Sequence, residues 1–346
     1  MADLTPIAPF VYNVSPSRVI FGSGSIKKLA AELQRQNLSS PLLLSTPQQV
    51  LQVEELSKQL NGKIAGIFSE ATMHTPSHIT ERALSYTNEV KADSVVSIGG
   101  GSTIGLGKAI SIRTGMPHIC IRRHTQTRSD PKILPGVVIY DVDLTMTLPT
   151  SMSATSGVNA IAHSVEALYS STTNPIINLL AIESIRSLAV SLPIIVRDPA
   201  DTSARTSAQY GAWLAGLCLG SVGMGLHHKL CHTLGGSFNM PHAETHTIVL
   251  PHAIAFNAPY IPEILKNLAK ALPESNGDAI AGLNILLESL RVERSLKAFG
   301  FKEEDIEKAA EIACANKYPN PRQIEKGPIQ ELIRRIWAGE PAKANL

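Results

Sequence analysis

The sequence predicts an α/β N-terminal domain with a parallel sheet, followed by an all-α C-terminal domain. Short apolar runs alternate with helical patterns up to residue 149, and strand signals almost vanish after it. The chain has 346 residues, longer than a single hydrophobic core usually grows before it divides. We therefore predict a dinucleotide-binding-type domain over residues 1–149 and a helical metal- or substrate-binding domain over residues 150–346.

In the N-terminal half, apolar runs at residues 42–44, 94–98 and 137–140 predict buried strands. Residues 78–90 lie between the first two runs and carry apolar side chains at helical spacing, which predicts a crossover helix. A strand, helix and strand in that order indicate a parallel sheet. Ligands are expected at the carboxyl ends of its strands.

After residue 149 the apolar spacing is helical almost throughout. The predicted helices cover residues 156–170, 176–192, 203–219, 264–272, 278–290 and 303–316. We expect the polar tail after Glu340 to be frayed.

The composition argues against several kinds of partner. With 31 basic and 29 acidic residues the net charge is +2, which gives no electrostatic reason to bind nucleic acid or an anionic membrane. The four cysteines form no C-x-x-C pair, a pattern that favours free thiols in a reducing compartment. The N-terminus shows no signal-peptide pattern and no apolar stretch is long enough to span a bilayer, so we expect a cytoplasmic protein.

Two glycine clusters follow strand-like sequence, at residues 22–25 and 99–102. Backbone N–H groups at such a turn can approach a pyrophosphate, and the N-terminus of the helix predicted at 104–112 adds partial positive charge. Neither cluster has the dinucleotide pattern G-x-G-x-x-G, because Lys27 and Ile104 replace the third glycine. A tight strand-to-helix turn is therefore the alternative interpretation of both.

Seven of the eleven histidines lie between residues 163 and 252. Asn159 and His163 are four residues apart, as are His228 and His232, so each pair shares a helix face. Imidazoles that converge from several helices suit a divalent metal, proton transfer or an anionic substrate. The motifs H-E-x-x-H and G-x-S-x-G are absent. We expect this cluster to form the active site.

Together these motifs resemble the iron-containing alcohol dehydrogenase superfamily, and within it the maleylacetate reductase family most. The likeness covers nearly the whole chain, and its histidine-rich run is the most specific part. It implies a dehydroquinate synthase-like N-terminal domain and an active site in the cleft between the domains. The matching runs are VVSIGGGSTIGLGKAI (95–110), DPKILPGVVIYDVDLTMTLPTSMSATSGVNAIAHSVEALYS (130–170), GLHHKLCHTLGGSFNMPHAETHTIVLPH (225–252) and NPRQIEKGPI (320–329).

The resemblance implies a metal site for iron or zinc at Asn159, His163, His228 and His242. Asn159 stands where metal-dependent members of the superfamily have aspartate. A neutral amide in place of a carboxylate weakens the binding of a divalent ion. We therefore expect a metal-free or loosely metallated site.

The resemblance also implies NADH or NADPH as the cofactor and homodimerisation. The cofactor-binding positions would be Gly99, Gly100, Gly101 and Ser102 for the pyrophosphate, with Ser45 and Thr46 near the adenosine.

By the same resemblance, the reaction is transfer of a hydride to a small anionic enone or oxo carboxylate such as maleylacetate. We expect His232, His242 and His246 to be catalytic, neutralising carboxylate and enolate charge and returning a proton to carbon. Arg322 would clamp a substrate carboxylate, with a surface ion pair as the alternative.

One segment departs from the family. After the strand-like run at 119–121 the family has a turn and a β-hairpin beside the cofactor, whereas this chain continues with Arg122, Arg123 and Arg128 and rejoins the pattern at Asp130. Either coding sequence was skipped, or the basic residues contact phosphate instead, or the chain has abandoned hydride transfer. The last case predicts a redox-neutral isomerase, lyase or cyclase that needs no nicotinamide, and a non-catalytic binding protein is a further alternative.

Overall fold

The computed structural model describes residues 10, 12, 18–73, 75–122 and 135–345, without the side chain of Arg122. The chain divides into two compact units. One is Ser15–Thr147, and the other is Leu148–Leu346 together with the N-terminal segment Met1–Val14.

The first unit contains one sheet of six strands, all paired in parallel. In chain order the strands and helices of this unit are β1 (Arg18–Phe21), α1 (Leu29–Arg35), β2 (Pro41–Leu44), α2 (Val50–Gln59), β3 (Gly66–Phe68), α3 (Ser77–Glu89), β4 (Ser94–Gly99), α4 (Gly101–Thr114), β5 (His118–Arg122) and β6 (Val137–Tyr140). The strand order across the sheet is β1-β6-β5-β4-β2-β3. The predicted parallel α/β fold is confirmed.

Helices cover both faces of this sheet. On one face Leu43 and Val96 pack against side chains of α1 and α2, and on the other Leu44 and Val95 pack against α3 and α4. Because successive side chains of a strand point to opposite faces, a strand buried on both sides is mainly apolar. β2 and β6 are uninterrupted apolar runs for this reason, and β4 is apolar except for two buried serines, Ser94 and Ser97, whose hydroxyls are hydrogen-bonded.

The second unit is helical, and its described residues contain no strand. Its helices are α5 (Thr150–Tyr169), α6 (Pro175–Arg197), α7 (Thr202–Ser221), α8 (Leu226–Phe238), α9 (His242–Asn257), α10 (Pro262–Ala271), α11 (Ala279–Ser289), α12 (Ile306–Cys314) and α13 (Lys326–Ala338). Each helix predicted in this half is present, with ends that differ by a few residues.

Among the described residues, α6 is the helix that by length and composition could cross a membrane. Half of its most apolar window is buried inside the protein. Ile177, Ile185 and Leu192 of α6 lie in the core that α5, α7 and α10 complete. The apolar composition of α6 is thus accounted for by its position in the helical core.

The chain after Glu340 is anchored at Ala342, whereas the other described residues of this tail are exposed. Ala342 is buried in the helical core. The side chain of Asn284 donates a hydrogen bond to the Ala342 carbonyl at 3.0 Å and accepts one from its amide at 3.2 Å. These two side-chain-to-backbone hydrogen bonds and one buried methyl group hold the segment at Ala342.

Candidate active site

The predicted histidine cluster is formed by three helices of the second unit, α5, α8 and α9. Asn159, His163 and Glu166 lie on α5 and are buried. The other rings of the cluster lie on α8 and α9: His227, His228, His232, His242 and His246.

His163 and His228 meet at the centre of the cluster. The distance between His163 Nδ1 and His228 Nε2 is 2.8 Å. On the other side of its ring, His228 Nδ1 makes a close hydrogen bond to the Glu166 carboxylate. The structure therefore brings together two of the four residues at the family's metal positions and adds a buried carboxylate behind one of them.

His246 lies beside this pair and is fully buried. Its ring centroid is 5.0 Å from that of His228 and 6.0 Å from that of His163. Neither ring nitrogen has a hydrogen-bond partner in the described part of the chain. A buried polar ring without a hydrogen-bond partner costs free energy. We therefore expect the His246 nitrogens to bind a ligand or a metal ion that enters the cluster.

The two remaining residues predicted to be catalytic, His232 and His242, are exposed. The His242 ring is 4.2 Å from His246 between centroids, and the His232 ring is 6.4 Å from it. The three residues predicted to be catalytic thus lie around one point, with His246 inside and the other two at the surface of the unit.

The cluster contains donors that suit a divalent metal. One ligand atom from each of His163, His228 and His246 lies within 4.8 Å of the other two. Asn159 Oδ1, one helical turn before His163, is buried and has no hydrogen-bond partner among the described residues. Imidazole nitrogens with a carbonyl-type oxygen fit Zn²⁺ or Fe²⁺, although the set lacks a negatively charged ligand. The donors fit a metal that binds weakly.

Burial sets the charge of these groups. Desolvation, reinforced by the neighbouring histidines, holds the pKa of His163 and of His246 well below the usual range. Burial raises the pKa of Glu166, but the charge and hydrogen bond of His228 outweigh it and hold that pKa below its ordinary value. His246 would therefore act as a neutral hydrogen-bonding ring, whereas the sequence suggested that it supplies positive charge.

His252, further along α9, predicts a loss of stability in mild acid. Burial, with Arg294 nearby, lowers its pKa from 6.5 to about 4. Between these pH values the unfolded chain binds a proton that the folded protein does not, so the free energy of unfolding falls as the pH falls. The loss is about 3 kcal/mol for this residue by pH 4.

Urea unfolding of the wild type and of His252→Gln between pH 4 and pH 7 tests this expectation. The variant should lose less stability on acidification, because glutamine does not titrate. The same substitution at His78, which is exposed on α3, is the control and should leave the slope unchanged. Parallel slopes for His252→Gln and the wild type would contradict the expectation.

In the first unit, the glycine cluster at 99–102 joins β4 to α4. Gly99 has φ of +134°, which strains any residue with a side chain, and a Cβ there would lie 2.5 Å from Gln49 Oε1 and displace that side chain. Gly100 is the N-terminal cap of α4, and the first-turn N–H groups that follow it have no acceptor within the helix. Gly101 is exposed and Ser102 is half-buried. This turn has the form of an anion site at a helix N-terminus.

Ser45 and Thr46 follow β2, the neighbour of β4, and so lie at the same edge of the sheet. The Ser45 hydroxyl is buried and has no hydrogen-bond partner in the described residues. Thr46 is half-buried and donates to Gln49 Oε1 at 3.2 Å. The residues predicted to bind the two ends of a dinucleotide are therefore neighbours in the sheet.

The other glycine cluster, at 22–25, is a structural turn. The amides of Gly24 and Ile26 donate to the buried Asp141 carboxylate at 3.1 Å and 2.7 Å. Gly24 also donates to Asp143 at 3.0 Å. Because two carboxylates already occupy these amides, the turn joins the segment after β1 to the segment after β6.

Arg322 lies at the other end of α9 from His242. Its guanidinium donates to the Phe256 carbonyl at 3.1 Å and stacks on the Phe256 ring at 4.2 Å. Phe256 follows His242 by fourteen residues, about 21 Å along a helix axis. The structure thus places Arg322 well away from His242. The basic segment predicted to contact phosphate, from Arg123 onward to Arg128, lies outside the described residues.

Glu166 lies three residues after His163 and shares its helix face, but the sequence alone assigned it no role. The structure shows that its carboxylate reaches the N-terminus of α8, where Oε1 accepts from the His227 amide at 2.9 Å. The available signal was a carboxylate three residues after His163 in an otherwise apolar helix, which is costly to bury without partners.

Two protein-family models match this chain. The family model described as iron-containing alcohol dehydrogenase matches residues 16–175. The model described as Fe-containing alcohol dehydrogenase family, C-terminal, matches residues 153–337. Between them the two models span both units.

Individual relatives agree with this placement. The maleylacetate reductase of Sphingobium indicum is 47% identical, over 96% of this chain and 98% of its own length. The crystal structure of maleylacetate reductase from Agrobacterium tumefaciens is 45% identical with a TM-score of 0.93, covering 97% of this chain and 100% of that one. An iron-containing alcohol dehydrogenase from Corynebacterium glutamicum is 34% identical with a TM-score of 0.90, covering 98% of each chain. The chain belongs to the iron-containing alcohol dehydrogenase family, and within it is most like the maleylacetate reductases.

Proposed function

We propose that this protein is an NAD(P)H-dependent reductase of an enone or oxo carboxylate, of the maleylacetate reductase type. The similarity to maleylacetate reductases along nearly the whole chain is the observation that carries the proposal. The first unit would bind the nicotinamide nucleotide and the second would bind the small anionic substrate. We further propose that the protein works in the cytoplasm as a homodimer.

Conjugate reduction of maleylacetate balances as follows. A bound NAD(P)H would supply the hydride that adds to one carbon of the C=C bond, and the electron pair of that bond would become an enolate on the conjugated carbonyl oxygen. A proton then adds to the second carbon and gives the saturated 3-oxo dicarboxylate, 3-oxoadipate. The protein must therefore stabilise an oxyanion and supply one proton.

The histidine cluster has groups for both tasks. The unpartnered ring nitrogens of His246 supply a buried hydrogen bond to the enolate oxygen. His242 is in ring contact with His246 and is exposed, so it can exchange protons with water and return one to carbon. His232, also exposed, is the second proton donor at the surface of the unit.

A divalent ion, when bound, would be held by Asn159, His163, His228 and the α9 histidines, and would polarise the substrate carbonyl as a Lewis acid. The two buried oxygen and nitrogen donors without partners, on Asn159 and His246, support this assignment. Because these ligands are all neutral, we expect the affinity to be low.

The first test is titration of the purified protein with NADH and with NADPH, followed by fluorescence. We expect micromolar binding and then oxidation of the cofactor when maleylacetate is added. Gly99→Ala should weaken binding at least tenfold, because its Cβ would overlap the Gln49 side chain at the turn. Gly115→Ala is the matched control, since Gly115 also has positive φ but lies at the other end of α4 in open space.

No binding at millimolar cofactor would overturn the proposal. The alignment with the Sphingobium protein spans 349 positions but includes only 96% of these 346 residues, so the chain lacks residues that this relative has. If these include the hairpin beside the cofactor, turnover without a nicotinamide would favour the redox-neutral alternative. Absence of any turnover would favour a binding protein.

A further inference from the structure

Glu166 is a buried carboxylate with four hydrogen-bond donors around it. It is 1% exposed and faces the N-terminus of α8. Its Oε1 accepts from the His227 amide at 2.9 Å and from the Tyr169 hydroxyl at 3.3 Å. Its Oε2 accepts from the His228 amide at 3.3 Å and from His228 Nδ1. An anion at a helix N-terminus is favourable, which accounts for the burial of this charge.

A glycine at the N-terminus of α8 leaves space for the contact between Glu166 and this helix. Gly225 is the N-terminal cap of α8. A Cβ at this position would lie 3.3 Å from Glu166 Oε1 and 3.1 Å from the Pro319 carbonyl oxygen. Both separations are tighter than ordinary van der Waals contact, so a larger residue would push the carboxylate away from the helix.

When the rings are neutral, the hydrogen bonds fix which ring nitrogen of each histidine carries the hydrogen. An ionised carboxylate only accepts, so His228 donates through Nδ1 and keeps its lone pair on Nε2. His163 must then donate from Nδ1 to His228 Nε2. The His246 carbonyl also only accepts, so His227 carries its hydrogen on Nε2 and cannot compete as a donor through Nδ1.

We propose that Glu166 is a positioning residue that holds His228 in the Nδ1–H tautomer and aims its Nε2 lone pair into the cluster. This is the arrangement in which a carboxylate behind a histidine fixes the ring and raises its basicity. The effect on tautomer and ring orientation is independent of the reaction catalysed. The effect on turnover rests on the proposed reductase function.

Glu166→Gln tests the role with little change in volume. The amide oxygen of glutamine can keep the shorter bond from the His227 amide, which places the NH₂ group against His228 Nδ1. Because NH₂ donates, His228 should switch to the Nε2–H tautomer, which then has no lone pair to present to the cluster. Tyr169→Phe is the control, since it removes one hydrogen bond to the same carboxylate and leaves the His228 contact in place.

The tautomer can be read by ¹⁵N NMR of protein labelled at histidine, with His228→Asn used for assignment. We expect Nδ1–H for His228 in the wild type and in Tyr169→Phe, and Nε2–H in Glu166→Gln. In assays with maleylacetate, kcat of Glu166→Gln should fall about 10- to 100-fold while KM for NAD(P)H stays unchanged. Tyr169→Phe should retain kcat.

An Nε2–H tautomer in the wild type would overturn the proposal without any variant, even if Glu166→Gln failed to fold. An unchanged tautomer in a folded Glu166→Gln would also overturn it, and a switched tautomer with wild-type kcat would overturn the effect on turnover. If the wild type has no reductase activity, the proposed function fails and the NMR result alone decides the role of Glu166.

Discussion

Replacing His242 by alanine is expected to lower kcat for maleylacetate reduction by about 10²- to 10⁴-fold and to leave the unfolding temperature unchanged. His242 is the first residue of α9 and is exposed, so its removal takes little apolar surface out of the core. Its ring contacts His246, which places it where a proton can pass between water and the bound enolate. The rate loss is that of a missing general acid.

The matched control is His78→Ala, because His78 is also exposed and lies in the first turn of a helix, in the other unit. Steady-state oxidation of NADH or NADPH with maleylacetate measures kcat, and thermal unfolding followed by circular dichroism measures stability. Turnover of His242→Ala at the wild-type rate would refute the assignment of this residue. A large fall in unfolding temperature would show that the ring has a structural role instead.

The elements that sequence reasoning recovered are those whose burial pattern is simple. Strands buried on both faces, such as β6, are uninterrupted apolar runs, and amphipathic helices such as α3 show one apolar stripe. The edge strand β3 has three residues, Gly66–Phe68, two of them only half-buried, and it was missed because so short a segment has no periodicity.

The site was recovered only in part for a related reason. Spacing along one helix put Asn159 with His163 and His228 with His232. It could not show that α5 and α8 approach until Glu166 meets two backbone amides, because that contact joins residues 61 and 62 positions apart. Spacing also could not predict that His242 is exposed whereas His246 is buried, because the two residues share a helix face.

Replacing Asn159 by aspartate is expected to convert a weak metal site into a strong one. The carboxylate would add the anionic ligand that the cluster lacks, and ligand charge is a main determinant of affinity for divalent ions. We expect the dissociation constant for Zn²⁺ to fall about 10- to 100-fold, the range typical for the loss or gain of one supporting group at a metal site. Without metal, the same carboxylate is a buried charge without an established partner, which costs free energy.

The two states of the variant should therefore differ in stability. Metal-free Asn159→Asp should unfold at a lower temperature than the wild type, and Zn²⁺ at 100 times its Kd should stabilise it by about 2.7 kcal/mol. Zn²⁺ at the same concentration should stabilise the wild type much less. Asn257→Asp is the control, because Asn257 is also fully buried but pairs with Asn320 instead of the histidines.

Calorimetric titration with Zn²⁺ and thermal unfolding with and without EDTA measure both quantities without reference to turnover. If Asn159→Asp bound Zn²⁺ no better than the wild type, Asn159 Oδ1 would not face the metal position, and the unpartnered oxygen would need another explanation. If the wild type bound Zn²⁺ as tightly as the variant, the neutral donors alone would be enough for tight metal binding. The amide at 159 would then leave the metal in place and act on the reaction itself, by withholding a negative charge from a site that must accept an anionic substrate.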